Sequence, residues 1–251
     1  MLKSYTQYKD WDMNKALSEA EAAYSANPLP IFTLQKADCQ FALKQYGSAC
    51  KTYLEVSHTD IASPQIFSAA AIAAEMDKQD STIVLALLDS AINRFSQPYP
   101  KGAAIYLLQR ANHLNKYRRF LEAANDFQAV EDLTGANNLS DNFFYIKEQC
   151  DLQAKLYPRA LSDIEKALHF KPNNYDYLVE RALSEWRVGN YDEAIYAGQQ
   201  ALKVNPNGAD AYKAIGIANG EKGNKAEAIR NLQKAKQLGD PQAQMLIDSL
   251  K

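Results

Sequence analysis

Small side chains recur along this chain at a nearly constant interval, and this interval limits the possible fold more than any other feature. One series consists of Ala16, Ala49, Val84, Ala123, Ala160, Ala194 and Ala228. A second series follows seven residues later, at Ala23, Val56, Ala91, Val130, Ala167, Ala201 and Ala235. Successive members lie 33, 35, 39, 37, 34 and 34 residues apart in both series. Such a period indicates stacked copies of one unit rather than a domain with a single core.

The copy at 175–206 shows most clearly what each unit contains. Apolar residues at helical spacing predict two helices, with a turn at Gly189 between them. Tyr191 opens the second helix and Pro206 ends it. A small residue such as Ala194 lets the two helices cross closely. One helix pair cannot bury its own apolar face, so neighbouring copies are expected to stack on it.

Aromatic residues mark the start of several second helices in the same register. They are Tyr46, Phe120, Tyr157 and Tyr191. This arrangement of small and aromatic positions resembles the tetratricopeptide repeat, a helix–turn–helix unit of about 34 residues. The resemblance covers nearly all 251 residues of the chain.

The resemblance implies an all-α fold, an α-α right-handed superhelix (a solenoid) of about six and a half repeats plus a C-terminal capping helix. We expect one solenoid over 1–251, with a partial repeat at 1–29, full repeats at 30–63, 64–99, 104–136, 141–174, 175–208 and 209–242, and the cap at 241–251. The first helix of the partial repeat would begin before Met1. Met1 then opens either a shortened cap or a piece of a longer repeat protein.

Composition restricts the possible partners and compartments. Charged residues make up 23% of the chain and the net charge is −2, so no bulk charge favours nucleic acid or anionic lipid. No apolar run approaches the roughly 18 residues that span a bilayer, and residues 1–10 do not form a secretory signal. We expect a soluble protein, cytoplasmic as the sequence stands, or periplasmic or envelope-associated if a signal has been removed. The three cysteines do not form a disulfide framework.

Catalytic motifs are present only as isolated fragments. Ser48 and Lys51 have the spacing of a serine–x–x–lysine motif, and Ser140 opens a serine–aspartate–asparagine motif. The third motif of that enzyme family is absent, and the helical register accounts for both fragments, the second as a helix cap. The histidines fall in different repeats, and no paired Cys-x-x-Cys exists. We therefore expect no enzymatic activity, no cofactor and no metal.

The resemblance also implies a binding surface, since the first helix of each tetratricopeptide repeat lines a concave groove. Carried over position by position, the predicted groove residues are Leu108, Asn112, Tyr145, Gln149, Leu152, Val179, Leu183, Trp186 and Arg187. They combine apolar, aromatic and amide side chains, which suits a protein interface. The same residues could instead pack against neighbouring helices. Tyr145, Leu152, Val179 and Trp186 are predicted to form its apolar anchor patch.

One subclass of the family grips the acidic tails of chaperones with lysine and asparagine at the fifth and sixth positions of each repeat. Those positions here hold Leu108 and Gln109, then Tyr145 and Ile146, then Val179 and Glu180. We therefore expect no binding of acidic chaperone tails. The resemblance favours a scaffold that holds a peptide or partner helix in its groove. The alternatives are a structural component of a cell-envelope or secretion assembly, and the non-catalytic region of a larger enzyme or regulator.

Overall fold

The fold is given by a computed structural model that describes residues 12–94 and 100–250. Its helices are α1 (Met13–Ala26), α2 (Pro30–Ala42), α3 (Tyr46–Ser57), α4 (Pro64–Met76), α5 (Ser81–Asn93), α6 (Ala104–Lys116), α7 (Phe120–Thr134), α8 (Asp141–Gln153), α9 (Tyr157–Phe170), α10 (Tyr175–Val188), α11 (Tyr191–Val204), α12 (Ala209–Glu221), α13 (Lys225–Gln237) and α14 (Ala243–Ser249). Short 3-10 turns occupy Pro100–Ala103 and Ala136–Asn138. The described ranges contain no strand, and the predicted all-α class is confirmed.

The helices form two compact units, Met1–Tyr117 and Arg118–Lys251. Within each unit every helix packs against the next one along the chain, and in the second unit α10 also packs against α12. The predicted single solenoid with its repeat boundaries stays a prediction. The beginning of the partial repeat (1–11), the end of the repeat at 64–99 and the last residue of the predicted cap lie outside the described residues.

The periodic small residues lie where helices meet. From Ala49 onward, every described member of the two series is at most 2% exposed. Ala16 and Ala23, on the first described helix, are half-buried. The predicted burial of Ala194 and Ala201 is confirmed, since both are 0% exposed. These small residues are therefore enclosed where helices pack together, as the sequence period predicts.

The turn after the first helix of a pair has the same backbone form in several repeats. Gly189 adopts a left-handed conformation with φ of 94°, and the next amide, of Asn190, donates to the carbonyl of Glu185 at 2.9 Å. The equivalent left-handed position holds a glycine again at Gly223. In earlier turns it holds a long basic residue, in one case Lys155 with φ of 62°. The other basic residues with positive φ are Lys44, Lys78 and Arg118.

Helix starts follow the predicted signals. The four aromatic residues that the sequence places at the start of second helices are the first residues of α3, α7, α9 and α11. Ser140 caps α8, because its hydroxyl accepts a hydrogen bond from the backbone N–H of Phe143 at 3.2 Å. The serine–aspartate–asparagine motif is thus the beginning of a helix.

A closed ring of ion pairs holds α7, α8 and α9 together inside the second unit. The Lys147 ammonium, which is 1% exposed, donates to Glu131 at 2.7 Å and to Asp163 at 2.8 Å. Lys166 joins the same two carboxylates at 2.6 and 3.2 Å. Asp151 lies fully buried beside Asp163, and burial raises the pKa of its carboxyl to about 7. Lys147, Glu131 and Asp163 are largely desolvated, so the ring is stable only while its partners remain together.

The predicted C-terminal cap forms a short helix, α14, that packs against α13. Ala243 and Ile247 are buried, whereas Leu246 and Leu250 are half-buried. Met245 lies on the outer side of this helix. Its side chain is 66% exposed, because the helical rotation points it away from the neighbouring helix.

We expect Ala194→Leu to destabilise the second unit by about 1–3 kcal/mol, because a branched side chain must enter a fully buried helix crossing. Urea unfolding followed by circular dichroism measures the change. Ala226→Leu is the matched control, since Ala226 lies exposed on α13. Equal stability of the two variants would show that the crossing at Ala194 tolerates bulk.

Lys147→Met should cost about 3–5 kcal/mol of folding free energy, since it leaves two desolvated carboxylates with one ammonium fewer. The control is Lys171→Met. Lys171 pairs with Asp141 at 2.7 Å at the protein surface, where a pair contributes about 0–1 kcal/mol. Urea unfolding compares the two, and a small loss at Lys147 would contradict the importance of the ring.

Candidate functional site

A groove of about 410 Å³ opens in the second compact unit, and we call it the second-unit groove. Its lining residues are Gln149, Leu152, Gln153, Lys155, Tyr157, Glu180, Leu183, Trp186 and Arg187. They include three kinds of group, namely apolar or aromatic side chains, amides and charges. Pockets that bind organic ligands commonly combine an apolar lining with a few placed polar groups.

Two helices supply most of this lining. On α10, Glu180, Leu183 and Arg187 are spaced by three and four residues, which places them on one side of the helix. On α8, Gln149 and Leu152 have the same three-residue relation. The groove therefore follows from helical periodicity on two first helices of consecutive pairs.

Aromatic and cationic side chains share one end of the groove. The Arg187 guanidinium lies 4.3 Å from the centre of the Trp186 ring and 5.8 Å from that of Tyr157. Such contacts orient a guanidinium without neutralising its charge. Lys155 follows α8 and is exposed at the same end. Within the described residues, neither Arg187 nor Lys155 forms an ion pair with a carboxylate.

Two carboxyl groups lie at the other end of the groove. Glu180 lines the groove, and its pKa is raised by burial, although a hydrogen bond with Gln149 opposes the shift. Behind it, Glu148 is 0% exposed and accepts hydrogen bonds from Gln149 at 2.8 Å and Ser184 at 3.1 Å. Burial, and then the nearby charge of Glu180, raise the pKa of Glu148 to about 8. The Gln149 amide is thus held between two carboxyl groups.

The structure brings five of the nine predicted groove residues together. They are Gln149, Leu152, Leu183, Trp186 and Arg187. Tyr145 lies one helical turn before Gln149 and stacks on Tyr177, with ring centres 5.1 Å apart. Val179 is only 6% exposed and packs with Leu178 and with Ala211 of α12, so it offers the groove no surface.

The remaining two predicted residues, Leu108 and Asn112, belong to the first compact unit. Asn112 lines a separate cavity there, whereas Leu108 is half-buried and lines neither this cavity nor the groove. The predicted set therefore divides between two surfaces.

Sequence reasoning missed four lining residues of the second-unit groove. Gln153 lies on a predicted helix but was not assigned to the groove, and Tyr157 was read only as a helix start. Glu180 was placed at the sixth position of its repeat but was left out of the predicted groove residues. Lys155 lies in the turn after α8, where a search restricted to first-helix positions does not reach. Helical spacing from Leu183 could have found Glu180, three residues earlier on the same face.

The first-unit cavity has a volume of about 300 Å³. It is lined by Ala71, Ile72, Glu75, Val84, Leu88, Gln109, Asn112, His113 and Lys116. His113 is 3% exposed, and its Nε2 lies 2.8 Å from the Ser81 hydroxyl. Its Nδ1 lies 3.5 Å from a Glu75 carboxylate oxygen, which also accepts from Lys116 at 2.7 Å.

Ser81, His113 and Glu75 thus follow the order of a hydrolytic triad, but the surroundings favour a structural role. Ser81 does not line the cavity, so a substrate there would not meet the hydroxyl. The backbone N–H of Thr82 already donates to Asp80 at 2.7 Å and is not free to stabilise an oxyanion. The histidine instead links α5 and α6 through its hydrogen bond with Ser81, and it packs beside the Glu75 carboxylate of α4.

The described residues offer neither a metal site nor a membrane-spanning helix. No three histidine, cysteine, aspartate or glutamate side chains come together there in a way that could hold a metal ion. No helix in these ranges has the length and apolarity that crossing a membrane requires.

Stacked helix pairs with a lined groove define an α-helical repeat protein, a class whose repeats contact mainly their neighbours. Residues 151–202 and 179–243 match the tetratricopeptide repeat family. This matched part of the chain belongs to that family, and the resemblance found in the sequence is confirmed. The match includes α10 and most of the groove lining.

Curated relatives match part of the chain. Small glutamine-rich tetratricopeptide repeat-containing protein 2 of Mycosarcoma maydis is 33% identical over 95 residues, which are 38% of this chain and 27% of that protein. The Protein SGT1 homolog of Bos taurus is 30% identical over 86 residues, 34% of this chain and 25% of that protein. The chain thus spans about a quarter of the length of these relatives.

Solved structures share the fold over more of the chain. The C-terminal part of a TPR repeat-containing protein from Cytophaga hutchinsonii has a TM-score of 0.65 at 19% identity, covering 99% of this chain and 98% of its own. YrrB, a TPR protein with an unusual peptide-binding site, has a TM-score of 0.62 at 18% identity, covering 80% and 97%. The fold is that of tetratricopeptide solenoids, which generally serve as protein-interaction scaffolds.

Glu148→Gln should make folding stability less dependent on pH. The Glu148 pKa is 4.5 in its ordinary state and about 8 in the fold. Between these values the unfolded chain loses a proton that the folded protein keeps, so wild-type stability falls as pH rises; outside this window the contribution is constant. Urea unfolding at pH 5 and pH 8 measures this change. The free energy of unfolding of the variant, relative to that of the wild type, should be higher at pH 8 than at pH 5 by more than about 1 kcal/mol.

Glu193→Gln is the control, because Glu193 is exposed on α11 and does not line the groove. It should leave the pH profile as in the wild type. Parallel profiles for wild type and Glu148→Gln would contradict the assignment of a buried, protonated carboxyl to Glu148.

Proposed function

We propose that this protein is a non-catalytic scaffold whose second-unit groove holds a segment of a partner protein. The observation that carries the proposal is the lining itself, in which Leu152, Leu183 and Trp186 lie beside the amides of Gln149 and Gln153. Apolar and aromatic groups supply contact area, and amides supply hydrogen bonds. A surface of this kind fits a polypeptide better than it fits nucleic acid or lipid.

An extended segment fits the groove better than a helical one. The backbone of a helix satisfies its own hydrogen bonds, whereas an extended chain presents free N–H and C=O groups. The Gln149 and Gln153 amides line the groove where such groups would pass. Gln149 is further oriented by its hydrogen bond to Glu148 at 2.8 Å, so less of its side-chain entropy is lost on binding.

Among the similar folds, YrrB supports this proposal, since it is a TPR protein with an unusual peptide-binding site. At 18% identity that likeness concerns the fold and not the residues. The proposed anchors in this chain are its own, namely Trp186 and the two leucines beside it. Trp186 is half-buried and presents a rigid ring whose binding costs little rotamer entropy.

The proposal is tested by selecting peptides on the full chain from a random displayed library and measuring the selected peptide by calorimetry. Trp186→Ala should weaken binding by about 30-fold, corresponding to about 2 kcal/mol, while the melting temperature changes little. Tyr196→Ala is the control, because Tyr196 is 52% exposed on α11 and does not line the groove.

A large fall in melting temperature with unchanged affinity would show that Trp186 serves packing. Equal losses of affinity in the two variants would place peptide binding elsewhere. Failure to select any peptide would overturn the proposal that the groove binds extended segments.

A further inference from the structure

The second-unit groove carries opposite charges at its two ends. Glu180 lies at one end beside the Gln149 amide. Lys155 and Arg187 lie at the other end and form no ion pair among the described residues. A charge in a partly enclosed groove interacts more strongly with a ligand than the same charge on an open surface. The groove is therefore electrostatically complementary to a ligand that carries one positive and one negative group.

Helix geometry sets the distance between the ends. Glu180 and Arg187 are seven residues apart on α10, which is almost two full turns, so they share one face. At a rise of 1.5 Å per residue, their Cα atoms lie about 10 Å apart along the axis. On the α8 side, Gln149 and Lys155 follow each other in the same order. Both walls thus run from the acidic end to the basic end.

A peptide in an extended left-handed conformation matches this distance. Polyproline II has three residues per turn and rises about 3.1 Å per residue. Side chains three residues apart then lie on one side of the peptide, about 9 Å apart. The two residues between them point about 120° to either side of the peptide, toward the walls that carry Leu152 on α8 and Leu183 on α10.

We propose that the second-unit groove selects extended peptides that carry a cationic side chain and a carboxylate three residues apart, with apolar residues between them. This rests on the proposed function of the groove. The cationic side chain would pair with Glu180, and the carboxylate would pair with Lys155 and Arg187. Stacking of the guanidinium on Trp186 and Tyr157, at 4.3 and 5.8 Å from the ring centres, holds it in place before the ligand arrives.

The ligand differs from an acidic tail, because a second carboxylate would meet Glu180 rather than a cation. The buried Glu148 behind Glu180 adds to this exclusion of acidic side chains whenever it is ionised. Specificity would then come from both attraction and repulsion along a short length of chain. This charge-based specificity would also weaken as the salt concentration rises, since the basic end is exposed to solvent.

The test uses fluorescent, end-blocked peptides with glycine on both sides of a four-residue core. The core lysine–leucine–leucine–glutamate is compared with glutamine–leucine–leucine–glutamine and with glutamate–leucine–leucine–glutamate. A fourth probe reverses the charges, and a fifth is lysine–leucine–leucine ending in a free carboxylate. We expect wild-type protein to bind one orientation of the bipolar core about tenfold more tightly than the glutamine core at low salt.

Single substitutions assign the two ends. Arg187→Gln should weaken the preference for glutamate, since only Lys155 then remains at the basic end, and should keep the preference for lysine. Glu180→Gln should remove the preference for lysine and keep that for glutamate. Lys203→Gln, an exposed lysine on α11 outside the groove, should leave all affinities unchanged. Tight binding of the fifth probe would identify a chain terminus as the source of the carboxylate, within the same inference.

Equal binding of the bipolar and glutamine cores would overturn the charge selection while leaving a peptide-binding groove. Tightest binding of the doubly acidic core would likewise overturn it. Absence of binding by all five probes, together with a display selection that yields no peptide, would instead overturn the proposed function.

Discussion

The close approach of neighbouring helices at small side chains is the constraint on which the rest of this structure depends. Ala160, Ala194 and Ala228 leave no side-chain volume between paired helices. The pairs can then stack, and each pair buries its apolar face on the next one. No central core exists to absorb a misplaced pair, so the spacing of these residues also fixes where each first helix lies.

The second-unit groove is a consequence of that stacking. Once α8 and α10 are placed, the helical period directs part of one side of each helix into the groove. The ion-pair ring of Lys147 holds α8 against α7 and α9, and it adds to the packing of Phe143 and Phe144 on the buried side of α8. A charged ring inside the unit thus leaves the opposite side of α8 available for Gln149 and Leu152.

The sequence predicts much of the fold because local signals and the repeat agree. Small residues mark the crossings, Tyr157 and Tyr191 mark helix starts, and Gly189 marks a turn. Five residues that line the second-unit groove are predicted from the positions of the tetratricopeptide repeat alone. Val179 fails as a surface residue because α12 packs on α10 and covers it, which is a tertiary contact that a single repeat does not encode.

Charged residues in the interior are the main feature that the sequence does not reveal. A lysine such as Lys147 normally marks a solvent-facing position, and only three neighbouring helices together show that its partners surround it. The left-handed turns occupied by lysine or arginine are also not predicted, because a left-handed backbone position is normally recognised in a sequence by its glycine. The residue types at these positions depend on long-range ion pairing and on backbone conformation, and the local sequence pattern does not reveal either.

At Lys155, the backbone conformation of the turn and the charge of the groove favour different residues. Its backbone has the left-handed form that Gly189 adopts in the next repeat, and a side chain in that form costs about 1–2 kcal/mol. A glycine there would relieve this strain, yet it would remove one of the two cations at the basic end of the groove. The turn is therefore less stable than the fold permits, and a version of the protein optimised only for thermal stability would lose part of the positive charge that lines the groove.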